Sequence, residues 1–435
     1  MKKLFVILFA LILSIALVAC GEQNNAGNSD PDVTELALWV YPIGQWRDKE
    51  TVSALMDQFS SEFPEIHVTV TYLDYDTGDD RIDRAVELGQ APDVVLESPR
   101  RLVSDWGDKG WMADLSDLWN SADQRQIHPV CQSACYASNG ACYAFPLSMN
   151  VCCMAINYDA FKDAGADQYV DTATHTWTTD GFVSAVKALY SHYGETVGTV
   201  YCGGQGGDEG TRALVNNLYG GTFTNAKHTA YTIDSEENIQ ALQRLYDLSG
   251  LAFDRDIVGR DEAVLFRQGV LKMAFCWDAA QQQNSDSSEA GRTVDGDEIV
   301  FLSFPSQTGE SRLPGDIWAF GAFAQEDENH LSAAKTLIRY FTGGNGTAAA
   351  VKASEAFPVR SLASLDAIWA DDPVMSEYSC MPSRIDDYYQ TSLGWPAVRT
   401  EWWQLLQRIG NSGNIADEVS IFTDNTRDAV RNSLH

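Results

Sequence analysis

Two short segments carry hydrogen-bonding groups where an apolar run hands over to a loop. Glu97 and Arg100 follow residues 92–96, and Tyr41 to Trp46 follow the apolar stretch that begins at Glu35. In an open α/β sheet the carboxyl ends of the strands face the ligand crevice. A carboxylate there accepts hydrogen bonds, a guanidinium donates them, and an aromatic ring offers an apolar face. Tyr41, Trp46, Glu97 and Arg100 are therefore candidate contacts for a polar small molecule. The competing reading pairs Glu97 with Arg100 or uses them to cap the next helix.

Other patterns exclude chemistries. The stretch Gly203-Gly204-Gln205-Gly206-Gly207-Asp208 lacks the lysine and the Ser or Thr of a phosphate-binding loop, so nucleotide binding is not expected. Asp74, Asp76 and Asp79 surround Gly78, yet the glycine is misplaced for a calcium loop and position 85 is alanine. The cysteine spacing matches no zinc signature and the 7 histidines are scattered, so no metal or other cofactor is expected. Gly-x-Ser-x-Gly and His-Glu-x-x-His are both missing. An extracellular glycoside hydrolase is the enzymatic rival, because acidic and aromatic residues also build hydrolytic sites. The carboxylate separation such a site needs is not readable from spacing.

The chain has 435 residues, more than a single core holds, so two lobes are expected. A formal net charge of −31 argues against nucleic acid and against a basic patch on anionic lipid.

Strand and helix alternate from the start. Residues 35–41 read as a strand. Val52, Leu55, Met56, Phe59 and Phe63 recur at helical spacing, and residues 66–73 return to strand. Ile82, Ala85, Val86 and Gly89 suggest a second helix before the run at 92–96. That rhythm implies a largely parallel, doubly wound sheet. It resumes after about Met149, with strands at 152–156 and 271–276 and a helical face of Phe182, Val183, Val186, Leu189 and Tyr190. Trp402, Leu405, Leu406 and Ile409 open a helical C-terminal region.

At the other end, Lys2 and Lys3, an apolar run over residues 4–18 and Leu17-Val18-Ala19-Cys20 form a secretion signal of residues 1–20 ending in a lipobox. It resembles the signals of bacterial lipoproteins, which implies that Cys20 becomes the first mature residue and carries lipid. Residues 21–32 are small and polar and read as a flexible tether. No second apolar run is long enough to span a bilayer. Cys131, Cys135, Cys142, Cys152, Cys153, Cys202, Cys276 and Cys380 remain, an even set whose pairing stays open.

The order of motifs resembles the sugar-binding lipoproteins of ABC importers, the extracellular solute-binding family. Gly89-Gln90-Ala91-Pro92-Asp93-Val94-Val95 and Gly110-Trp111-Met112-Ala113-Asp114-Leu115 come first. Tyr143-Ala144-Phe145-Pro146-Leu147 and Ile156-Asn157-Tyr158-Asp159-Ala160-Phe161 follow. Phe266-Arg267-Gln268-Gly269, Leu313-Pro314-Gly315-Asp316 and Phe357-Pro358-Val359-Arg360 complete the series.

The resemblance implies an α/β fold of two lobes, 33–148 with 317–362 and 149–316 with 363–435, each a doubly wound sheet flanked by helices. The chain crosses between them near 148–151, 314–318 and 358–363, and the cleft closes about its hinge. It implies a carbohydrate ligand, held on aromatic platforms by planar polar side chains. Trp277 stands where maltodextrin receptors carry a stacking tryptophan, with Asp278 beside it. Trp395 and Arg399 match a second platform with an arginine one turn on. Asn150 and Trp318 lie on crossings, and Gln205 and Asp208 on the glycine-rich loop; Asn150 replaces a frequent carboxylate. Permease transmembrane subunits are the implied partners of a monomer that captures without catalysis. The implied location is the extracytoplasmic face of the bacterial cell membrane, held through the N-terminal lipid.

Overall fold

The computed structural model describes residues 33–283 and 289–433. The signal, Cys20 and the tether lie outside the described residues. Strand β1, Thr34–Val40, turns Leu36, Leu38 and Val40 into the core by simple alternation. The helix Lys49–Glu62 then starts on Asp48, whose side chain accepts from the Thr51 N–H at 2.9 Å. Val52, Leu55, Met56 and Phe59 form its buried stripe, and it stops before Pro64. Strand β2, Ile66–Tyr72, the helix Gly78–Glu87 and strand β3, Val94–Glu97, complete the alternation.

These three strands pair in parallel, with β1 between β2 and β3. The rest of that sheet comes from far along the chain. Strand β4, Phe145–Val151, and strand β11, Phe357–Pro358, reach it through the antiparallel strand β10, Gly315–Ala322. The order is β11-β4-β10-β3-β1-β2, a mixed sheet. Parallel pairing is thus confined to the part built from local strand–helix–strand units.

A second sheet stacks strand β5, Cys153–Asn157, antiparallel between β8, Met273–Trp277, and β9, Ile299–Leu302. Next to β8 lies a parallel pair, β6 at Gly198–Tyr201 and β7 at Leu251–Asp254. The chain leaves the first sheet at Val151 and enters the second at Cys153, with Cys152 alone between them. It returns at Pro314, whose carbonyl accepts from the Cys152 N–H at 2.8 Å. After β11 it runs out again to the long helices Trp395–Ser412 and Ile415–Asn432, which pack on each other, the first of them also on β7. Among the described residues no helix is long and apolar enough to cross a membrane.

Candidate functional site

Strands β1, β2 and β3 end side by side, and so do the loops that leave them. Glu97 closes β3 with 1% exposure. Its Oε1 accepts from Ser98 Oγ at 2.8 Å and from Arg101 Nη1 at 3.0 Å. Its Oε2 is equally buried and has no partner among the described residues.

Arg101 holds this corner. Its Nε and Nη2 donate to Asp79 Oδ2 at 3.0 and 2.9 Å. The guanidinium lies 5.0 Å from the Tyr41 ring centroid and 5.6 Å from that of Tyr75, and the two rings stack at 5.2 Å. Burial opposes its charge, but Glu97 and Asp79 outweigh that and hold its pKa above the ordinary arginine value. Tyr41 donates its hydroxyl to Asp79 at 2.5 Å, so burial and that carboxylate push its phenol up. Tyr75 keeps 47% of its surface open.

Opposite stands the segment before the helix Trp395–Ser412. The turn Pro99–Leu102 packs on the turn Tyr389–Thr391 and brings the two lobes together. Tyr388 is buried there, its hydroxyl turned toward the Arg100 backbone. Burial raises its pKa, and the charges of Asp316, Arg100 and Glu97 all reach it. Arg100 forms no ion pair among the described residues and lines an inter-lobe cavity of about 360 Å³ with Asp105, Gln390 and Trp395. Of these groups Arg100 lines the cavity, while Glu97 Oε2 and the Tyr388 hydroxyl are enclosed by protein.

Deeper in, β10 sets Asp316 opposite Asn150, and Gln390 Nε2 lies 3.5 Å from its Oδ1. Glu209, the second residue of the helix Asp208–Tyr219, is pushed up to about 7 by burial and by Asp208 and Asp316. Burial and Asp316 likewise raise Asp278.

The family model for bacterial extracellular solute-binding proteins matches residues 54–377. The chain belongs to that family. This solute-binding protein has the two-lobe periplasmic-binding-protein fold, and membership places it outside the cytoplasm.

Its fold is similar to the cyclic α-maltosyl-1,6-maltose binding protein of Arthrobacter globiformis, with TM-score 0.75 at 16% identity over 92% of this chain and 100% of that one. The sugar-binding protein MalE of Xanthomonas citri gives 0.73 at 14%, over 92% and 98%. The GacH receptor of Streptomyces glaucescens, solved unliganded and with acarbose, gives 0.67 at 16%, over 92% and 99%. Curated protein sequences give no match.

The residues expected from the sequence divide into two groups. Arg100 lines the inter-lobe cavity and Glu97 lies behind it on Arg101, while Asn150 Oδ1 is turned onto the Val151 N–H at 3.0 Å and Asp278 Oδ1 onto the Gln281 N–H at 2.7 Å. Trp318 is half-buried on β10, and Gln205 is exposed, with Nε2 3.3 Å from Thr400 Oγ1.

The others serve the scaffold. Trp46 is fully buried and donates to the Ala350 carbonyl at 3.3 Å. Trp277 is fully buried too, its Nε1 on Gln282 Oε1 at 2.7 Å, its ring between Phe266 and the Arg267 guanidinium. Neither offers a free ring face, because each lies on the core side of its element. Trp395 belongs to both groups, packed at 2% exposure among Phe223, Tyr389 and Arg212 yet lining the inter-lobe cavity, with no partner for its Nε1 among the described residues. Tyr41 has spent its hydroxyl on Asp79.

Asp208 is enclosed by two arginines. Arg212 pairs with its Oδ2, and Arg399 Nη2 reaches Oδ1 at 2.7 Å. Burial works against the charge, yet the arginines hold its carboxyl well below the usual range. Asp208 and Arg399 thus fasten the C-terminal helix to the glycine-rich loop.

Tyr75, Glu209, Asp316 and Tyr388 neighbour these residues and were not singled out by sequence reasoning. Tyr75 was findable, since it follows β2 as Arg100 follows β3. Tyr388 had no local signal.

Proposed function

We propose that this protein is the receptor of an ABC importer, capturing a carbohydrate, an oligosaccharide, in the cleft and delivering it to the transmembrane permease. The observation that supports this is the inter-lobe cavity of about 360 Å³, where the Arg100 guanidinium stands with Asp105, Gln390 and Trp395, a set of donors, acceptors and an aromatic edge. A sugar ring carries hydroxyls that both donate and accept, so it can meet these groups, while the half-open Tyr75 ring suits its C–H face. Neighbours of the same fold whose names concern maltose, sugar and acarbose binding agree with this class. Closure is driven only by the ligand's greater affinity for the closed form.

The lobes divide at 33–148 with 317–362 and 149–316 with 363–435, a division supported by sheet membership, β4 and β10 running slightly past it. Lipid on Cys20 keeps a monomeric receptor beside its permease, and residues 21–32 supply reach. One chain anchors weakly and two or more firmly.

Thermal shift against a glycan panel, followed by calorimetry, tests the reading. A saccharide that raises the melting temperature with concentration supports it, because a ligand of the native state stabilises by mass action. A flat panel with turnover of a chromogenic glycoside replaces it with a hydrolase, and shifts with amino acids or polyamines with another solute receptor. Cys20→Ser should move the protein from the membrane to the soluble fraction.

A further inference from the structure

We infer that Cys152 and Cys276 form a disulfide that ties the first inter-lobe crossing to β8 in the wall of the cleft. Their sulfurs lie 3.3 Å apart, at positions 124 apart in the chain. A disulfide places them at about 2.05 Å.

The backbone on both sides is already fixed. Cys152 is the single residue between β4 and β5, held by the Pro314 carbonyl, and its neighbour Cys153 pairs in register with Trp277. Behind Cys276, Gly210 of the helix Asp208–Tyr219 sits directly on the Phe275 carbonyl, where any side chain would collide. The helix thereby brings Glu209 Oε1 to 3.6 Å from Cys276 Sγ.

The alternatives point elsewhere. Successive side chains of an extended segment face opposite ways. Cys153 accordingly turns from Cys152 and meets Tyr378 Oη at 2.9 Å. Cys131, Cys135 and Cys142 belong to the first lobe, where Cys142 Sγ accepts from Trp119 Nε1 at 3.1 Å.

Location supplies the chemistry. Outside the cytoplasm thiols meet disulfide-bearing oxidants, such as a dithiol oxidoreductase in its oxidised form. One cysteine thiolate attacks the oxidant's disulfide, forming a mixed disulfide and expelling a thiolate. The second cysteine thiolate then displaces the other oxidant sulfur. Two electrons pass to the oxidant, and the two thiol protons end on its reduced sulfurs. In the folded chain burial raises the Cys152 thiol, and hydrogen bonding between the two thiols together with burial raises Cys276, so exchange favours the strands before they close.

The test is a peptide map of the full exported chain, denatured and alkylated with N-ethylmaleimide before any reduction. The expected result is one crosslinked species joining the Cys152 and Cys276 peptides, released by dithiothreitol, with fragment spectra separating Cys152 from Cys153. Alkylation of both residues, or a link from either to a different cysteine, overturns the proposal. As a second measurement, reduction should lower the melting temperature of the wild type by several degrees and leave C152S/C276S unmoved. A wild type indifferent to reduction also overturns it. Where the double variant does not fold, the wild-type map still decides.

Discussion

Arg101 engages one oxygen of Glu97 and leaves the other bare. Nη1 stands 3.0 Å from Oε1, and Oε2, just as deeply buried, has no partner among the described residues. The pair is a scaffold contact that orients a binding group. Arg101 is itself held by Asp79 and by two stacked tyrosines, so the free lone pairs of Glu97 point in a set direction before ligand arrives. Pre-orientation of this kind lowers the entropy lost on binding.

Glu97→Gln keeps the shape and removes the charge. A hydrogen bond to a charged group contributes about 1.5 to 3 kcal/mol. The variant should therefore bind its saccharide roughly ten- to a hundredfold more weakly by calorimetry. Equal affinity in a folded protein would remove Glu97 from the ligand contacts.

Asp208 is predicted to matter for stability. Arg212 is 1% exposed, so Asp208→Asn strands a buried guanidinium and should cost about 3 to 5 kcal/mol in urea unfolding. Losing binding without losing stability would contradict the scaffold role.

Glu209 and Asp208 titrate in opposite senses. The Glu209 carboxyl is raised from 4.5 to about 7, so the folded state holds its proton more tightly than the unfolded one. Its contribution to stability is therefore full below about pH 4.5 and is lost as pH rises through 7. Asp208 is lowered, so its contribution is present above pH 3.8 and is lost only in stronger acid. Glu209→Gln should flatten the decline between pH 5 and pH 7.5 in unfolding experiments and spare the acid limb. An unchanged profile would show that Glu209 titrates as an exposed carboxylate.

The first three strands and the helix between the first two were legible because their pairing is local and their periodicity clean. Expected at 35–41, 66–73 and 92–96, they stand at Thr34–Val40, Ile66–Tyr72 and Val94–Glu97. The strand β10 wedged between β3 and β4 was not, since its partners lie far away in sequence and no local pattern encodes the insertion. The same limit governs the aromatics. A tryptophan after a strand is apolar and large whether it meets a sugar or a core, and only the packing of Phe266 and Arg267 sends Trp277 inward. Glu97 and Arg100 were readable by a rule about strand ends. Their counterpart Tyr388 belongs to an irregular segment, placed by the two C-terminal helices.

Trp277→Ala should accordingly act on the fold. Deleting a fully buried tryptophan removes about 3 to 5 kcal/mol, and Gln282 and Arg267 lose their partner as well. Trp277→Phe retains most of the packing and should bind saccharide as the wild type does. A folded Trp277→Phe protein with sharply reduced affinity would return Trp277 to the cleft as a platform.

Tyr388→Phe separates ligand binding from stability most cleanly, because the two should move in opposite directions. The hydroxyl is buried and meets only the Arg100 backbone, so part of the about 1 to 3 kcal/mol that an unsatisfied buried polar group costs applies to it. Removing the oxygen relieves it while the ring, 3% exposed, keeps its packing. The variant should melt at or above the wild-type temperature without ligand, and it should lose saccharide affinity by about tenfold for the missing hydrogen bond. The stabilisation that a saturating saccharide adds should shrink accordingly. A variant that melts lower and binds equally well would mean that the Tyr388 hydroxyl bonds within the protein in solution, and the cleft would then rest on Glu97 and Arg100 alone.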